Sequence, residues 1–559
     1  MKRILIIGCG LAGLSAAVKS AQSGNEVIMI SPAPSERTQS VMAMGGINAA
    51  LNTKEQDDSV KQHFQDTMKS GAGICCSKAV KQMTNDAPEI IKWLSDMGAS
   101  FTRDEHGNVD LRYFGGQKKM RTAYAGARTG KQLVTALTAE CRKYEAKGLV
   151  KRMTGWRLLS FAMTSQGACA GAVFFEEHTE EIKQIEADVV ILASGGPNRV
   201  FGKTTGSLHC DGSAAGQALM QGVTLGNPEM IQYHPTTIDT PVKRMLITEA
   251  ARGQGGRLYT IRDGKPWYFM EEWYPEFGAL MPRDVVSRSI FKVCSHMGLG
   301  IDGENKVYLD ITFLPEDVIS VKLDEVVNVC KRYLHLNPAK EPIPVYPGVH
   351  YFMGGIKTDE RHQTNIPRLF AAGECSCQYH GANRLGGNSL LGAIHGGWMA
   401  AVAGNELESL NGKQKQQALS EQKSEEMKRY QSWKQQRKWN GSDTWKAEEQ
   451  LASIMKGSMG IYRNEKQLKQ ALQQLKALYK ICPDCNSRGN YYEYRRLPAM
   501  IVMAEAMVKG ALERRESRGA HQREEYPDTN DKEFRKITCV SWNNEGISID
   551  FEAEGDEEA

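Results

Sequence analysis

The stretch KRILIIGCGLAGLSAAVKSAQSGNEVIMIS, residues 2–31, decides the fold. It opens with a short apolar strand, turns through Gly8, Gly10 and Gly13, continues as a helix of small residues and ends in a second apolar strand. Glycines in such a βαβ unit let the backbone approach a pyrophosphate at the positive end of the helix, and the last one lets the helix pack closely on the strand. A bare GxGxxG is weak, but this context predicts a dinucleotide-binding unit rather than a tight turn alone.

The nucleotide is less clear from this unit, because the acidic residue that usually holds the ribose is missing and Ser31 ends the second strand. A serine hydroxyl can still donate to a ribose. Two further apolar strands also end in glycine turns, ADVVILASGGPNRVFG (187–202) and IPRLFAAGECS (366–376). FAD that is buried along its full length needs several such turns, so the three together favour FAD over a nicotinamide cofactor. Ordinary strand ends in an α/β protein are the alternative.

Length and composition set the remaining limits. A chain of 559 residues is long enough for several domains. Charged residues make up 24% and the net charge is only +4, so no global charge points to nucleic acid or an anionic membrane. The 13 scattered cysteines and the absence of an evident signal segment favour a reducing cytoplasm and free thiols. No apolar run approaches the roughly 20 residues of a membrane span, so we expect membrane contact only through a partner.

Polar residues cluster beside glycines later in the chain. The clusters are EMIQYHPTTI (228–237), MLITEAARGQGG (245–256), LMPRDVVSRS (280–289), YPGVHYFMGG (346–355) and YHGANRLGGNSLLG (379–392). Arginine pairs with carboxylates at two points, and glycine lets a ligand come close. A lone histidine is more often structural, but several clusters of the same kind predict a site for an anionic substrate.

On these motifs the chain resembles the flavoprotein subunits of fumarate reductases and succinate dehydrogenases, with L-aspartate oxidase as a relative of different function. The resemblance runs from the first strand to ESRGAHQREEYPDTND (516–531), and only the tail after about residue 536 carries none. It implies an α/β fold: a Rossmann-like FAD-binding domain with an inserted α+β capping domain and a C-terminal helical domain. The expected boundaries are 1–237 and 351–407 for the FAD-binding domain, 238–350 for the cap, 408–517 for the helical domain and 518–559 for a C-terminal region.

The resemblance also implies how fumarate is held. Arg384 and His350 would grip one carboxylate, while His234 and Thr248 would hold the other and twist it from the plane of the double bond. Fixed cations of this kind stabilise the charge that builds on a carboxylate when hydride adds to the neighbouring carbon. His234 and His350 therefore count among both the substrate-binding and the catalytic residues.

A proton must reach the opposite face of the substrate, and in this family an arginine delivers it. That residue corresponds to Arg283 in MPRD, with Glu249 and Arg252 of TEAAR as the relay that reprotonates it. Free arginine is a poor acid, so the role requires a crowded positive site and a relay. Two plainer interpretations stay open: Arg283 could pair with Asp284, and Glu249 with Arg252 could form an ordinary i, i+3 helix ion pair.

RYFGGQKKMRTAY (112–124) separates two activities of the family. In aspartate oxidases a glutamate stands just before the paired glycines and receives the substrate ammonium, whereas this chain has Phe114. A phenyl ring packs well beside the carbons of a C4 dicarboxylate but cannot compensate an ammonium. Gln117 is expected to bind substrate beside it. Aspartate oxidase remains an alternative, as does a flavin-binding subunit without catalysis, which would have no use for a proton relay.

SERTQSVMAMGGINAALN (35–52) is expected to form a loop that runs into a glycine-hinged helix. Six residues before Gly45 and Gly46, members of membrane complexes usually carry the histidine that bonds to the flavin 8α carbon, and this chain has Gln39. An amide nitrogen is a poor nucleophile, so FAD is expected to be non-covalent. An unlinked flavin has a lower potential, which favours fumarate reduction. Alternatively Gln39 is a tolerated variant and the potential is set elsewhere, for example by a helix beginning near Asn388.

The remaining expected contacts to FAD follow from the same motifs and glycine turns. The full set is Gly8, Gly10, Leu11, Ala12, Gly13, Ser31, Gln39, Ser40, Gly45, Gly46, Ala193, Ser194, Gly195, Asp211, Glu374, Arg384, Asn388, Ser389 and Leu390.

The end of the chain changes character, with Lys, Gln, Glu and Leu at helical spacing from about 408 to 517. The resemblance implies that this helical domain supports docking of an iron–sulfur subunit, which would supply electrons and link the chain to a membrane anchor or another donor. CPDC (482–485) is a lone pair that favours a structural role over a metal site. DFEAEGDEEA (550–559) is expected to be a solvated tail.

Overall fold

The computed structural model describes residues 1–126, 128–436, 444–482, 490–543 and 546–553. Its strands are β1 (Arg3–Ile7), β2 (Glu26–Ser31), β3 (Ile47–Asn48), β4 (Leu111–Arg112), β5 (Thr122–Ala123), β6 (Val150–Thr154), β7 (Trp156–Met163), β8 (Cys169–Glu176), β9 (Ile182–Glu186), β10 (Val189–Leu192), β11 (Leu225–Gly226), β12 (Ile231–Asp239), β13 (Arg244–Leu246), β14 (Arg257–Arg262), β15 (Lys265–Trp267), β16 (Val307–Asp310), β17 (Ile343–Phe352), β18 (Gly355–Lys357), β19 (Leu369–Ala371), β20 (Ser376–Cys377), β21 (Tyr462–Arg463), β22 (Gln522–Arg523), β23 (Ile537–Asn543) and β24 (Gly546–Glu552). Its α-helices are α1 (Leu11–Gln22), α2 (Val60–Ser70), α3 (Ser77–Asp96), α4 (Thr129–Ala146), α5 (Ser213–Met220), α6 (Ala250–Gly253), α7 (Phe269–Trp273), α8 (Arg283–Phe291), α9 (Asp324–Tyr333), α10 (Asn388–Glu406), α11 (Gly412–Gln436), α12 (Thr444–Ser458), α13 (Glu465–Ile481), α14 (Tyr491–Glu513) and α15 (Asp531–Phe534).

A five-stranded parallel sheet with strand order β19-β10-β1-β2-β6 organises the cofactor-binding part. Every residue of β10 is buried, as expected of a parallel strand covered on both faces. Because the strands are parallel, the turns that follow β1, β10 and β19 meet at one edge of the sheet. The predicted βαβ unit and the three glycine turns are therefore found together, where ligands of open α/β sheets bind.

Gly8 and Gly13 allow the tight contacts of this edge. Gly8 has φ +123°, and a Cβ there would lie 2.1 Å from the carbonyl oxygen of Ala193. A Cβ on Gly13 would lie 2.0 Å from the carbonyl oxygen of Gly8. The first glycine thus lets β1 turn against β10, and the last lets α1 pack on the turn, as the spacing predicts.

The segment 35–52 differs from the expectation. Two short 3₁₀ turns at Ser35–Arg37 and Gln39–Met42 lead into strand β3, so the predicted glycine-hinged helix is wrong. Gly46 has φ +146°, outside the helical region, and a Cβ there would lie 2.6 Å from the carbonyl oxygen of Ala123. The glycines therefore let β3 approach β5 instead of hinging a helix.

A six-stranded antiparallel sheet, ordered β13-β12-β17-β16-β14-β15, forms the inserted part with helices α6 to α9. This part has a hydrophobic cluster of its own, which includes Leu258, Val286 and Leu309. β12 and β17 pair with each other and run across the positions 237/238 and 350/351, where the boundaries of the cap were expected. The two longest strands of this sheet thus carry the chain between the cofactor-binding part and the insertion.

Helices α11 to α14 form the helical region predicted for 408–517. Leu451, Leu475 and Met500 of these helices share one buried cluster with Leu5 and Val190 of the parallel sheet. The helical region is therefore packed into the same core as the cofactor-binding part.

The C-terminal region extends a second sheet, ordered β20-β18-β11-β23-β24. β24 pairs along its length with β23, from Gly546 opposite Asn543 to Glu552 opposite Ile537. Residues 550–552 of the expected solvated tail belong to strand β24, with the side chains of Asp550 and Glu552 exposed, and residues 554–559 lie outside the described part of the chain.

No described helix is both long and apolar enough to cross a membrane. The described residues contain no group of three or more His, Cys, Asp or Glu side chains that could hold a metal ion. Eight of the described cysteines, among them Cys9, Cys141 and Cys210, are free thiols. Cys482 lies at the end of α13, and Cys485 of the CPDC pair lies outside the described residues.

Candidate active site

One cavity brings together most of the predicted cofactor and substrate residues. The predicted cofactor residues that line it are Gly8, Gly10, Leu11, Ala12, Ser31, Gln39, Ser40, Gly45, Gly46, Ala193, Ser194, Gly195, Asp211, Glu374, Arg384, Ser389 and Leu390. The predicted substrate and catalytic residues that line it are Phe114, His234, Thr248, Glu249, Arg283, His350 and Arg384. The cavity follows the glycine-rich edge of the parallel sheet and reaches the inserted sheet, so its two groups of residues come from two parts of the fold.

The cofactor half of this cavity fits FAD. Three glycine turns leave backbone without side chains along one wall, where a pyrophosphate and a flavin can come close. Ser40 accepts a hydrogen bond from the first amide of α1, Leu11 N, at 3.1 Å, and so fixes the loop over the helix start. The buried Oε1 of Gln39 finds no hydrogen-bond partner among the described residues, as expected of a group that awaits a ligand.

Two predicted cofactor residues lie behind the cavity wall. Gly13 supports the turn from behind, as described above. Asn388 is fully buried at the start of α10, where its Oδ1 accepts from Asn48 at 2.7 Å and faces His63 Nε2 at 3.0 Å. Asn388 therefore fixes the position of Ser389 and Leu390, which do line the cavity.

Glu374 is a carboxyl group inside the cofactor half. Its Oε1 accepts from the backbone N of Phe352 at 3.1 Å. Burial raises the pKa of Glu374 to about 7, while the backbone hydrogen bonds and Arg384 oppose the rise. A carboxyl with this pKa can stay protonated near neutral pH and donate a hydrogen bond.

His234 and His350 face each other at the substrate end, with ring centroids 5.1 Å apart. Burial and the neighbouring arginines hold both pKa values well below the ordinary value, so both imidazoles are neutral. Nδ1 of His234 lies 3.3 Å from both the N and the carbonyl O of Thr236. Thr205 holds Nδ1 of His350 at 2.8 Å. Both rings are thus oriented, and the buried Nε2 of His234 has no partner among the described residues.

Gln232 brings the two arginines of the site together. Its Oε1 accepts from Arg384 Nη2 at 3.0 Å and from Arg283 Nη1 at 3.2 Å. Burial, together with the charge of Arg283, lowers the pKa of Arg384 to about 9. Nε of Arg384 is buried without a partner among the described residues. Two adjacent cations with donors to spare form a site for a carboxylate.

Glu249 lies between two arginines. It accepts from Arg283 Nε at 2.9 Å and Nη2 at 2.6 Å, and its other oxygen lies 3.3 Å from Arg252 Nη2. Burial raises the pKa of Glu249, but the two arginines outweigh it and lower the value to about 2. Arg252 lies outside the cavity lining and also donates to the carbonyl of Ala279 at 2.6 Å.

Of the two plainer interpretations of these residues, only the ion pair between Glu249 and Arg252 is present. Asp284 pairs with Arg288 at 2.8 Å instead of with Arg283. The i, i+3 ion pair between Glu249 and Arg252 does form, but Glu249 bonds Arg283 as well. The three side chains therefore form one continuous chain from the cavity into the protein.

Phe114 lines the cavity beside the glycines, and its ring lies 3.2 Å from the position of a Cβ on Gly45. The guanidinium carbon of Arg112 lies 5.5 Å from the centre of this ring. Gln117 lies outside the lining, where it donates to Asn48 at 2.9 Å and to Gly386 O at 2.9 Å. It supports the cavity floor, and its expected contact with substrate stays a prediction.

Sequence reasoning did not single out four residues that shape this site, namely Arg112, Thr205, Gln232 and Tyr492. Gln232 stands two residues before His234 in EMIQYHPTTI, so alternation along β12 could have placed both side chains on one face. The other three carry no local signal, because their roles depend on contacts between distant segments.

Two family models match the chain. One, described as an FAD binding domain, matches residues 3–390, and the other, described as Fumarate reductase flavoprotein C-term, matches residues 448–557. The second match extends past residue 536, so the expectation that the tail carries no resemblance is wrong.

Similar proteins cover nearly the whole chain. The succinate dehydrogenase flavoprotein subunit of Bacillus subtilis is 40% identical, with 96% of this chain and 93% of that protein covered. The 8-methylmenaquinol:fumarate reductase flavoprotein subunit of Wolinella succinogenes is 34% identical, with 97% and 89% covered. A chain of quinol fumarate reductase from E. coli superimposes with a TM-score of 0.90 at 28% identity, over 100% of this chain and 98% of that one.

Proposed function

The chain belongs to the family of succinate dehydrogenase and fumarate reductase flavoprotein subunits, FAD-dependent oxidoreductases that act on a CH–CH bond, and we propose that its main direction is the reduction of fumarate to succinate. The observation that carries the direction is that Gln39 lines the cofactor cavity. The resemblance described above implies a histidine at this position in members whose flavin is covalently linked.

The substrate end can hold two carboxylates. Arg384 would bind one of them with its unpartnered Nε, and His350 would hold it from the side. His234 would donate from Nε2 to the other carboxylate, beside the hydroxyl of Thr248. Because both imidazoles are neutral, the positive charge of the site is concentrated on the arginines, where it stabilises charge that builds on a carboxylate.

Proton delivery is proposed for Arg283. Bound flavin, once reduced by the electron donor, would supply the hydride from its N5 atom. Arg283 lines the cavity and would donate a guanidinium proton to the other carbon, while Glu249 accepts two hydrogen bonds from the same guanidinium. Arg252 does not line the cavity, and its Nη2 lies 3.3 Å from the other oxygen of Glu249, so it would return a proton to Arg283 through Glu249.

Non-covalent FAD is the second part of the proposal. An amide nitrogen is too poor a nucleophile to bond to the flavin 8α carbon. Arg37 and Thr38 also line the cavity, and neither has an imidazole. The orphaned Oε1 of Gln39 would instead accept a hydrogen bond from the cofactor or its water. Without an electron-withdrawing 8α bond the flavin potential is lower, which favours electron transfer to fumarate over electron uptake from succinate.

Succinate oxidation is the second candidate, because the relative at 40% identity is named a succinate dehydrogenase subunit. L-Aspartate oxidation is disfavoured by Phe114 and by the cation of Arg112 beside it, since a substrate ammonium there would meet a positive charge instead of a carboxylate. The proton relay argues against a subunit that only binds flavin.

An iron–sulfur subunit is the proposed electron donor, with a membrane anchor or another donor behind it. Several relatives are named as subunits, and one name specifies 8-methylmenaquinol as reductant. Among the described residues no group of three or more His, Cys, Asp or Glu side chains could hold a metal ion, which agrees with a separate carrier of electrons. We expect the assembled protein to be cytoplasmic and attached to the membrane through such partners.

The test is anaerobic and uses the FAD-loaded chain. Fumarate-dependent oxidation of reduced viologen is compared with succinate-dependent reduction of a dye. A rate strongly biased to fumarate supports the proposal, and faster succinate oxidation contradicts the direction while it leaves the family assignment intact. No reaction with either substrate would contradict the substrate site itself.

A further inference from the structure

Tyr492 reaches the cofactor cavity from another part of the fold. It is the second residue of α14 in the C-terminal helical region, yet its side chain lines the cavity and is only 4% exposed. Asn490 fixes the start of α14 by accepting a hydrogen bond from Glu493 N at 3.0 Å. The position of the Tyr492 ring is therefore set by the helix that carries it.

The Tyr492 hydroxyl is bonded to a carboxylate of the same cavity. It donates to Asp211 Oδ2 at 3.0 Å and lies 2.8 Å from the hydroxyl of Ser213. Ser213 donates to the other oxygen, Asp211 Oδ1, from its hydroxyl at 2.7 Å and its backbone N at 2.9 Å. Asp211 is thus oriented by donors from both sides, and one of the donors belongs to the helical region.

The Tyr492 ring lies toward the adenosine end. The guanidinium carbon of Arg157 lies 5.0 Å from the ring centre. The cavity is lined here by the first three residues of β7, Trp156, Arg157 and Leu158. They follow directly after β6, whose Thr154 pairs with Ser31 of β2. Ser31 ends the strand at which a bound dinucleotide places its ribose, so Tyr492 is on the side of the cavity that receives the nucleotide half of FAD.

α14 is also docked closely on the helix that follows Asp211. A Cβ on Gly216 of α5 would lie 2.0 Å from the carbonyl oxygen of Ala499, so the two helix backbones touch at this point. Glu448 of α12 connects α14 to the cofactor-binding part, because it accepts hydrogen bonds from Arg496 of α14 at 3.0 Å and from Arg199 of the cofactor-binding part at 2.8 Å. A shift of α14 would therefore move Tyr492 out of the cavity.

We propose that Tyr492 is a cofactor-site residue supplied by the helical region, and that FAD binding and the docking of α14 stabilise each other through it. Coupling of this kind is reciprocal: a cofactor that binds only the docked arrangement must also favour that arrangement. The proposal rests on FAD binding and is independent of the direction of the reaction.

Titration of the full-length apoprotein with FAD, followed by quenching of flavin fluorescence, tests the contact. Tyr492→Phe keeps the ring and removes the hydroxyl, and we expect FAD to bind about tenfold more weakly, as for the loss of one hydrogen bond to a charged group. Tyr494→Phe, two residues along the same helix and outside the cavity lining, is the control and keeps the affinity of the wild type. Equal affinity of all three proteins contradicts the contact.

Hydrogen exchange of the same proteins tests the coupling. We expect FAD to slow amide exchange in α14 of the wild type and to slow it less in Tyr492→Phe. Gly216→Ala should loosen α14 from a site that does not line the cavity, raise exchange in α14 and weaken FAD binding. Exchange in α14 that is the same with and without FAD, or a loosened α14 in Gly216→Ala with unchanged FAD affinity, overturns the proposal, because a purely structural helix would behave in that way.

Discussion

The guanidinium of Arg283 donates two hydrogen bonds to one carboxylate oxygen of Glu249, at 2.9 Å from Nε and 2.6 Å from Nη2. Both side chains are almost fully buried, and both line the cavity that Arg384 also lines. An ion pair buried at the end of a cavity is a costly arrangement for stability alone. Its geometry suits a donor that must give up a proton on one side and recover it from the other.

Removal of this donor should abolish most of the activity. Arg283→Lys keeps a positive charge but loses the planar fork, so we expect fumarate reduction to fall by about 10² to 10⁴. In Glu249→Gln the rate of fumarate reduction should fall by a similar factor, because an amide cannot return the proton to Arg283. The measurement is the rate of fumarate-dependent viologen oxidation at equal flavin content.

Arg257→Lys provides the control for these variants. Arg257 pairs with Glu271 on the inserted sheet, its side chain is 41% exposed, and it does not line the cavity. We expect the rate of fumarate reduction by Arg257→Lys to stay within about twofold of the wild-type rate. If Arg283→Lys matched that rate, Arg283 would be a structural cation and another acid would have to be sought.

Acid denaturation gives a direct test of cofactor attachment. We expect all flavin to leave the wild-type polypeptide in trichloroacetic acid, because Gln39 cannot form the 8α bond. In Gln39→His we expect part of the flavin to stay on the protein, since the residue lines the same cavity. Flavin retained by the wild type would contradict the assignment, and Gln39→Asn, which also lacks an imidazole, serves as the control.

The first glycine turn can be tested by a matched pair of substitutions. Gly8 and Gly24 both have positive φ, +123° and +74°, respectively. A Cβ at Gly8 would lie 2.1 Å from the carbonyl oxygen of Ala193, whereas a Cβ at Gly24 would have no heavy atom within 4 Å. We expect Gly24→Ala to cost only about 1 to 2 kcal/mol of backbone strain and to keep FAD. Gly8→Ala should lose FAD binding, measured by flavin content after gel filtration, because β1 must move away from β10. Similar flavin content in the two variants would contradict the proposed role of the turn.

The sequence was sufficient for the parts of the site that depend on local pattern. The βαβ unit and its glycines follow from hydrophobic runs and spacing, and the substrate residues follow from motifs that resemble a family. Gly46 is an exception, because the pattern predicts a helix hinge whereas this glycine permits close contact between β3 and β5. Gln232 and Tyr492 were missed because their importance lies in contacts across more than 150 residues and 270 residues, respectively.

The neutral histidines of the cavity should make the protein sensitive to acid. The pKa of His350 is held well below 6.5, first by burial and then by His234 and Arg283, whereas in the unfolded chain it titrates near 6.5. Below pH 6.5 the unfolded state therefore binds a proton that the folded state does not, and stability falls by up to about 1.4 kcal/mol per pH unit for this group. We expect the thermal midpoint of unfolding to drop between pH 7 and pH 5, and to drop less in His350→Asn. His106→Asn, at an exposed position, is the control and should show the same drop as the wild type. An equal drop in both variants would mean that His350 takes up a proton without loss of the fold.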